Sequence, residues 1–207
     1  MAIISNQKKG TYKVLAVATL KITLMGTLIG VFHEHDFWVG LLLFARLLAF
    51  LYQNYFKAVK KNWVLLTGMI LTGFLGICVE IWGVTFQYWD YHDLTSNRQL
   101  PYWLPFAWIF AFRFIYVLES ELIISLGLKK MSHKTWLAIF ITAFFPAYGE
   151  IITINLGVWT YSWPFQFFGV PLYAIILLVI MHMGINFVLG LWVKKKKIND
   201  PVFVSDK

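Results

Sequence analysis

The sequence predicts an all-α integral membrane protein with six transmembrane helices, both termini cytoplasmic, and an internal repeat of helical hairpins. Three observations predict it. Of 207 residues, 59% are hydrophobic and 19% aromatic, and the mean hydropathy is +0.68, whereas soluble domains are about half apolar even with glycine counted. Six stretches reach the roughly twenty mostly apolar residues that a span requires: 12–32, 37–56, 63–84, 101–127, 135–155 and 168–194. The lysines cluster between them: Lys8 and Lys9 before the first, Lys57, Lys60 and Lys61 after the second, Lys129, Lys130 and Lys134 after the fourth, and Lys194 to Lys197 after the sixth. Six spans put all four clusters on one face, and the positive-inside rule makes that face the cytoplasm.

The net charge of +8 therefore reads as topology and lipid headgroup contact, and no nucleic-acid partner is expected. A single cysteine, Cys78, lies inside an apolar run, so there is no disulfide framework or metal–thiolate set. The N-terminus lacks the ordered parts of a signal peptide, so the first apolar run is expected to be a retained span. The expected location is the bacterial inner membrane.

Within the single domain, residues 72–101 return seventy positions later. Thr72 matches Thr142, Phe74 Phe144, Glu80 Glu150, Ile81 Ile151, Trp89 Trp159, Tyr91 Tyr161 and Pro101 Pro171, where composition alone would give roughly two matches. The repeat units are 63–127 and 135–194, spans 3–4 and 5–6. A fainter echo, FWVGLLLFAR (37–46) with YWLPFAWIFAFR (102–113), would make three hairpins around one axis. The outer loops YWDYHDLTSNRQL and WTYSWPFQFF are rich in aromatics and are expected to fold back on the bundle.

Each repeat places one glutamate near the outer end of a span, about 7 Å below the interface at 1.5 Å per residue. An acid at that depth is a functional-site hypothesis by default. Glu80 and Glu150 are the candidate catalytic acids, since a buried carboxyl held neutral can donate a proton. Three readings stay open: a proton-donating acid, a structural latch to backbone or loop tryptophans, and ion or proton conduction. Gly73 and Gly76 beside Glu80, and Ala143 and Pro146 beside Glu150, permit either close helix packing or a cavity.

Trp89, Tyr91, Trp159 and Tyr161 keep the same spacing to the glutamates and are the candidate substrate-lining rings, against the plainer reading of an interfacial belt. Asp90, Arg113 and His182 are further substrate-binding candidates. Lys21, Arg46 and Arg113 fall near mid-span, where Glu119 and Glu121 offer partners; the alternative is a site for an anionic headgroup. His182 and Asn186 lie a turn apart and suit interhelical hydrogen bonds. The cluster His33, Glu34, His35 and Asp36, with Asp90, His92 and Asp93, reads as a solvated turn sooner than a metal site. No metal or cofactor is expected.

NLGVWTYSWPFQFFGVP (155–171) resembles the pattern of small lycopene cyclase domains, in which W-x-Y is followed by G-x-P. VEIWGV, WDY and LPYWLPFAW (79–108) resemble the related carotenoid hydratases. Pro171 is followed by Leu172, Tyr173 and Ala174, where cyclase domains carry paired acids. The resemblance covers about half the chain. It implies an isoprenoid or carotenoid-modifying enzyme, a cofactor-independent cyclase, hydratase or isomerase that protonates a polyene lipid drawn from the bilayer. The alternative is a small transport or lipid-binding protein with a proton-linked or headgroup-binding site.

Overall fold

The computed structural model describes residues 2–94 and 98–204, with side chains from Gly10 onward. The stretch 95–97 of the first aromatic loop, and the side chains of Lys8 and Lys9, lie outside the described residues. Six long helices form the bundle: α1 (Ala2–Val31), α2 (Asp36–Leu51), α3 (Trp63–Thr85), α4 (Leu104–Leu126), α5 (Met131–Asn155) and α6 (Leu172–Lys196). A 3-10 turn, His33–His35, links α1 to α2, and a π-helical turn, Tyr52–Phe56, prolongs α2. Five helical stretches are long and apolar enough to cross a membrane, so the chain is a helical, membrane-embedded protein. Helix α4 is equally long but carries Arg113, Glu119 and Glu121.

Local chemistry sets the helix ends. Asn62 Oδ1 accepts from the Leu65 N–H at 2.9 Å and caps α3, while its amide donates to the Tyr116 hydroxyl on α4. Gly127, at φ 62°, closes α4 in the left-handed conformation that glycine adopts without strain. Pro171 precedes α6, where a missing N–H costs nothing.

Helix α3 packs most extensively on α4, α6 packs most extensively on α5, and the two pairs meet through α3 with α6 and α4 with α5. Helix α1 lies against α5 and α4, and α2 against α4. These two therefore do not close on each other as α3 does on α4, and the expected third hairpin is not what forms.

The loops after α3 and α5 meet as a two-stranded antiparallel ribbon, β1 (Trp89–Tyr91) with β2 (Trp159–Tyr161). Trp89 faces Tyr161, Asp90 faces Thr160, and Tyr91 faces Trp159. Asp90 and Thr160, seventy positions apart, are thus directly opposed at the ribbon's centre. That register is what a local two-fold axis between the hairpins requires, and the same axis exchanges the α3–α6 contact with α4–α5. A small second hairpin, β3 (Gln166–Phe167) with β4 (Val170–Pro171), leads into α6. The last expected span begins at Leu172 instead of 168 because these residues pair as strands.

Candidate functional site

The ribbon lies over the ends of α3 and α5, and strand alternation sends the outer residues of each triplet down while the middle one points away. Trp89 and Tyr91 are buried, whereas Asp90 and Thr160 are exposed. Asp90 therefore stands on the far face of the ribbon from the glutamates and does not line the site.

Below the ribbon, Glu80 accepts three hydrogen bonds. Trp89 Nε1–H donates to Oε2 at 2.9 Å, the Tyr91 hydroxyl donates to Oε2 at 3.0 Å, and Trp108 Nε1–H of α4 donates to Oε1 at 3.0 Å. Two glycines make this possible. A Cβ on Gly76 would sit 2.4 Å from the Trp108 ring, and one on Gly83 2.0 Å from the Trp89 ring. Of the two uses open to Gly76, close packing is the one realised.

Glu150 has the same tyrosine and little else. The Tyr161 hydroxyl donates to Oε2 at 3.0 Å, eleven residues on, as Tyr91 is from Glu80. Its other oxygen has no described donor, and the side chain is only partly buried. The position in α6 that corresponds to Trp108 is Leu178, which has no N–H to offer. The two repeats thus hold one saturated carboxyl and one half-open carboxyl.

Rings enclose both. Trp89 packs on Tyr161 and Tyr91 on Trp159, each pair with centroids 5.6 Å apart. Trp163 joins the two sides, 5.6 Å from Trp89, 5.1 Å from Tyr88 and 6.0 Å from Tyr173. Burial, followed by the Glu80 carboxyl, pushes the Tyr91 phenol well above its ordinary range, and burial followed by Glu150 does the same to Tyr161. Each phenol also feels the other repeat's glutamate, so the two acids belong to one electrostatic site.

No family model, curated protein or solved structure matches this chain. Its functional reading therefore rests on the arrangement of its own side chains.

The remaining candidates lie elsewhere. Arg113 is nine residues into α4, its guanidinium 4.9 Å from the centre of the Phe50 ring, and Arg46 stands 5.7 Å from that of Phe110. Among the described residues neither they nor Lys21 form an ion pair with an acid, so the expected network is not formed; Glu119 pairs with His182 at 2.7 Å instead. That contact holds His182 ten residues inside α6, far from the ribbon. On the ribbon side, Asp36 is taken by Arg98 through two contacts of 2.8 and 3.2 Å. His92 bonds to Gly157 O and Thr160. Among the described residues, only His33, Glu34 and Asp93 bring potential ligand atoms within 4.8 Å of one another.

Sequence spacing did not single out Trp108 or Trp163. Both are tryptophans in aromatic-rich stretches, and only interhelical packing distinguishes them from belt residues.

Proposed function

We propose that the ribbon and the two glutamates form an acid–base site for an isoprenoid or polyene lipid. The inequality between the acids supports this reading. All three partners of Glu80 are donors, so it serves as acceptor only and holds the ribbon in place. Glu150 Oε1 is the oxygen left free to carry a proton.

In the reaction, Glu150 donates that proton to a carbon–carbon double bond, which leaves a carboxylate and a tertiary carbocation. The faces of Trp89, Tyr91, Trp159, Tyr161 and Trp163 are attractive surroundings for such a cation. Water then adds, or a neighbouring double bond closes a ring, and the proton lost in that step returns to Glu150. No redox equivalent is consumed. The chemistry agrees with the resemblance to carotenoid hydratases and lycopene cyclase domains. In this reading α4 is a sixth span, both ends of the chain face the cytoplasm, and the membrane is the bacterial inner membrane.

A second reading, a lipid-binding or transport protein, draws on Lys21, Arg46 and Arg113, which lie within spans without a carboxylate partner among the described residues. The deciding experiment supplies polyene lipids to the purified protein and measures product formation by mass spectrometry. Acid catalysis predicts that Glu150→Gln lowers turnover by about 100-fold or more while Arg113→Ala retains it. Full turnover by Glu150→Gln would remove Glu150 from the mechanism.

A further inference from the structure

Midway along α4 and α6, three polar side chains meet inside the bundle. Glu119 Oε1 lies 2.7 Å from His182 Nε2, and the Asn186 carboxamide lies 3.0 Å from the same nitrogen. Exposure is 1% for Glu119, 6% for His182 and 9% for Asn186. His182 and Asn186 are one turn apart and share a face of α6.

Two buried atoms of this cluster have no hydrogen-bond partner: Glu119 Oε2 and Asn186 Oδ1. A buried polar atom left unpaired bears its full desolvation cost. The proton count adds a second constraint. A carboxylate oxygen and a bare imidazole nitrogen 2.7 Å apart would repel, so one proton lies between them. If it resides on Nε2, that nitrogen has no lone pair for the Asn186 amide, whose oxygen must turn to the ring. If it resides on Glu119, two donors compete for one lone pair. Either arrangement leaves two polar atoms idle.

We propose that Glu119, His182 and Asn186 form an exchangeable proton site, which binds and releases one proton together with a water molecule that fills the idle atoms. Three side chains supply too few oxygens for the about six that a hard metal cation requires, whereas imidazole and carboxyl exchange protons readily. Open space lies at the lysine-rich end of α4. A cavity of about 410 Å³, lined by Lys129, Asn199 and Asp200 among others, reaches Ile123, one turn of α4 from Glu119.

Among the described residues, the surrounding charges make no ion pair with the site. Helix α4 itself carries Arg113, Tyr116 and Glu121, α3 carries Glu80, α5 Lys134 and Glu150, α1 Lys21, and α2 Arg46. Among the described residues none of these forms an ion pair with Glu119 or His182. Lys134 Nζ donates to the carbonyls of Pro201 and Val204, and the Tyr116 hydroxyl donates to Asp200. Gain of a proton therefore changes the charge of the trio with no ion-pair partner among the described residues beyond the trio itself.

The test uses the full chain in lipid nanodiscs with nitrogen-labelled histidine, and records the ring signals by NMR and the protonated-carboxyl band by infrared between about pH 5 and 8. The expected result is one carboxyl band and the His182 ring changing together and reversibly, with Glu119→Gln abolishing the band and Glu150→Gln leaving it. A ring and band that stay fixed across the range, or that respond to sodium at constant pH, would overturn the proposal. Should Glu119→Gln fail to fold, the wild type still decides. Its buried ring, told from the other histidines by slow hydrogen–deuterium exchange, either titrates or does not.

Discussion

Glu80 and Glu150 occupy matching places in two hairpins, yet among the described residues Glu80 accepts from Trp89, Tyr91 and Trp108 of the facing helix, whereas Glu150 accepts from Tyr161 alone. Trp108 fills the second oxygen of Glu80; Leu178 has nothing to give Glu150. Removal of that donor by Trp108→Phe leaves a buried carboxylate oxygen unpaired and should cost about 1–3 kcal/mol of stability, read as a lower thermal midpoint in detergent. Gly76→Ala should cost a similar amount, about 1–3 kcal/mol, because the new methyl group would overlap the Trp108 ring. A midpoint unchanged in both variants would mean that Trp108 does not bind Glu80. The glutamates themselves were legible from sequence, since the repeat and the membrane cost of a carboxyl pointed to them. Their inequality was not, because it depends on which α4 ring reaches across to α3.

The ribbon is the element that joins the hairpins. Its W-x-Y triplets were visible as repeated letters, and alternation along a strand separates Trp and Tyr from the middle residue. The pairing of the two triplets with each other was not visible, because antiparallel register is fixed by how the hairpins dock. That pairing is why Asp90, grouped with Trp89 and Tyr91 by adjacency, faces away from them. The phenols of Tyr91 and Tyr161 give the ribbon a pH dependence. A phenol raised in the folded state adds stability that is complete below the unfolded value of about 10 and is lost as pH rises through the folded one. The thermal midpoint should therefore fall as pH climbs beyond about 10, and the fall should be smaller in Tyr91→Phe and Tyr161→Phe. Equal alkaline loss in wild type and both variants would contradict the hydrogen bonds to the glutamates.

At the scale of the molecule, composition and lysine placement gave the helical membrane class and the helix boundaries to within a few residues for most spans. The first helix runs back to Ala2, well before the expected start of the span, because helix formation continues through polar residues that a hydropathy reading excludes. Helix α4 shows the converse: its ionisable groups lower its apolarity, and packing turns Glu119 inward to His182, a pairing that no spacing in the sequence announces. The predicted topology has an accessible test. Cysteines introduced at Thr160 and at Lys195, in a Cys78→Ala background, should label from opposite sides of sealed vesicles. Labelling of both from one side would mean that α6 does not cross the membrane.

On the proposed function, two acids at matching positions divide the work, Glu80 holding the ribbon and Glu150 carrying the proton. Glu80→Gln and Glu150→Gln, compared in one assay for thermal midpoint and polyene turnover, test that division most directly. The account predicts a lowered midpoint for Glu80→Gln, and for Glu150→Gln a near-native midpoint with turnover lost. Equal losses of both properties in the two variants, or turnover that survives in Glu150→Gln and disappears in a stable Glu80→Gln, would contradict it.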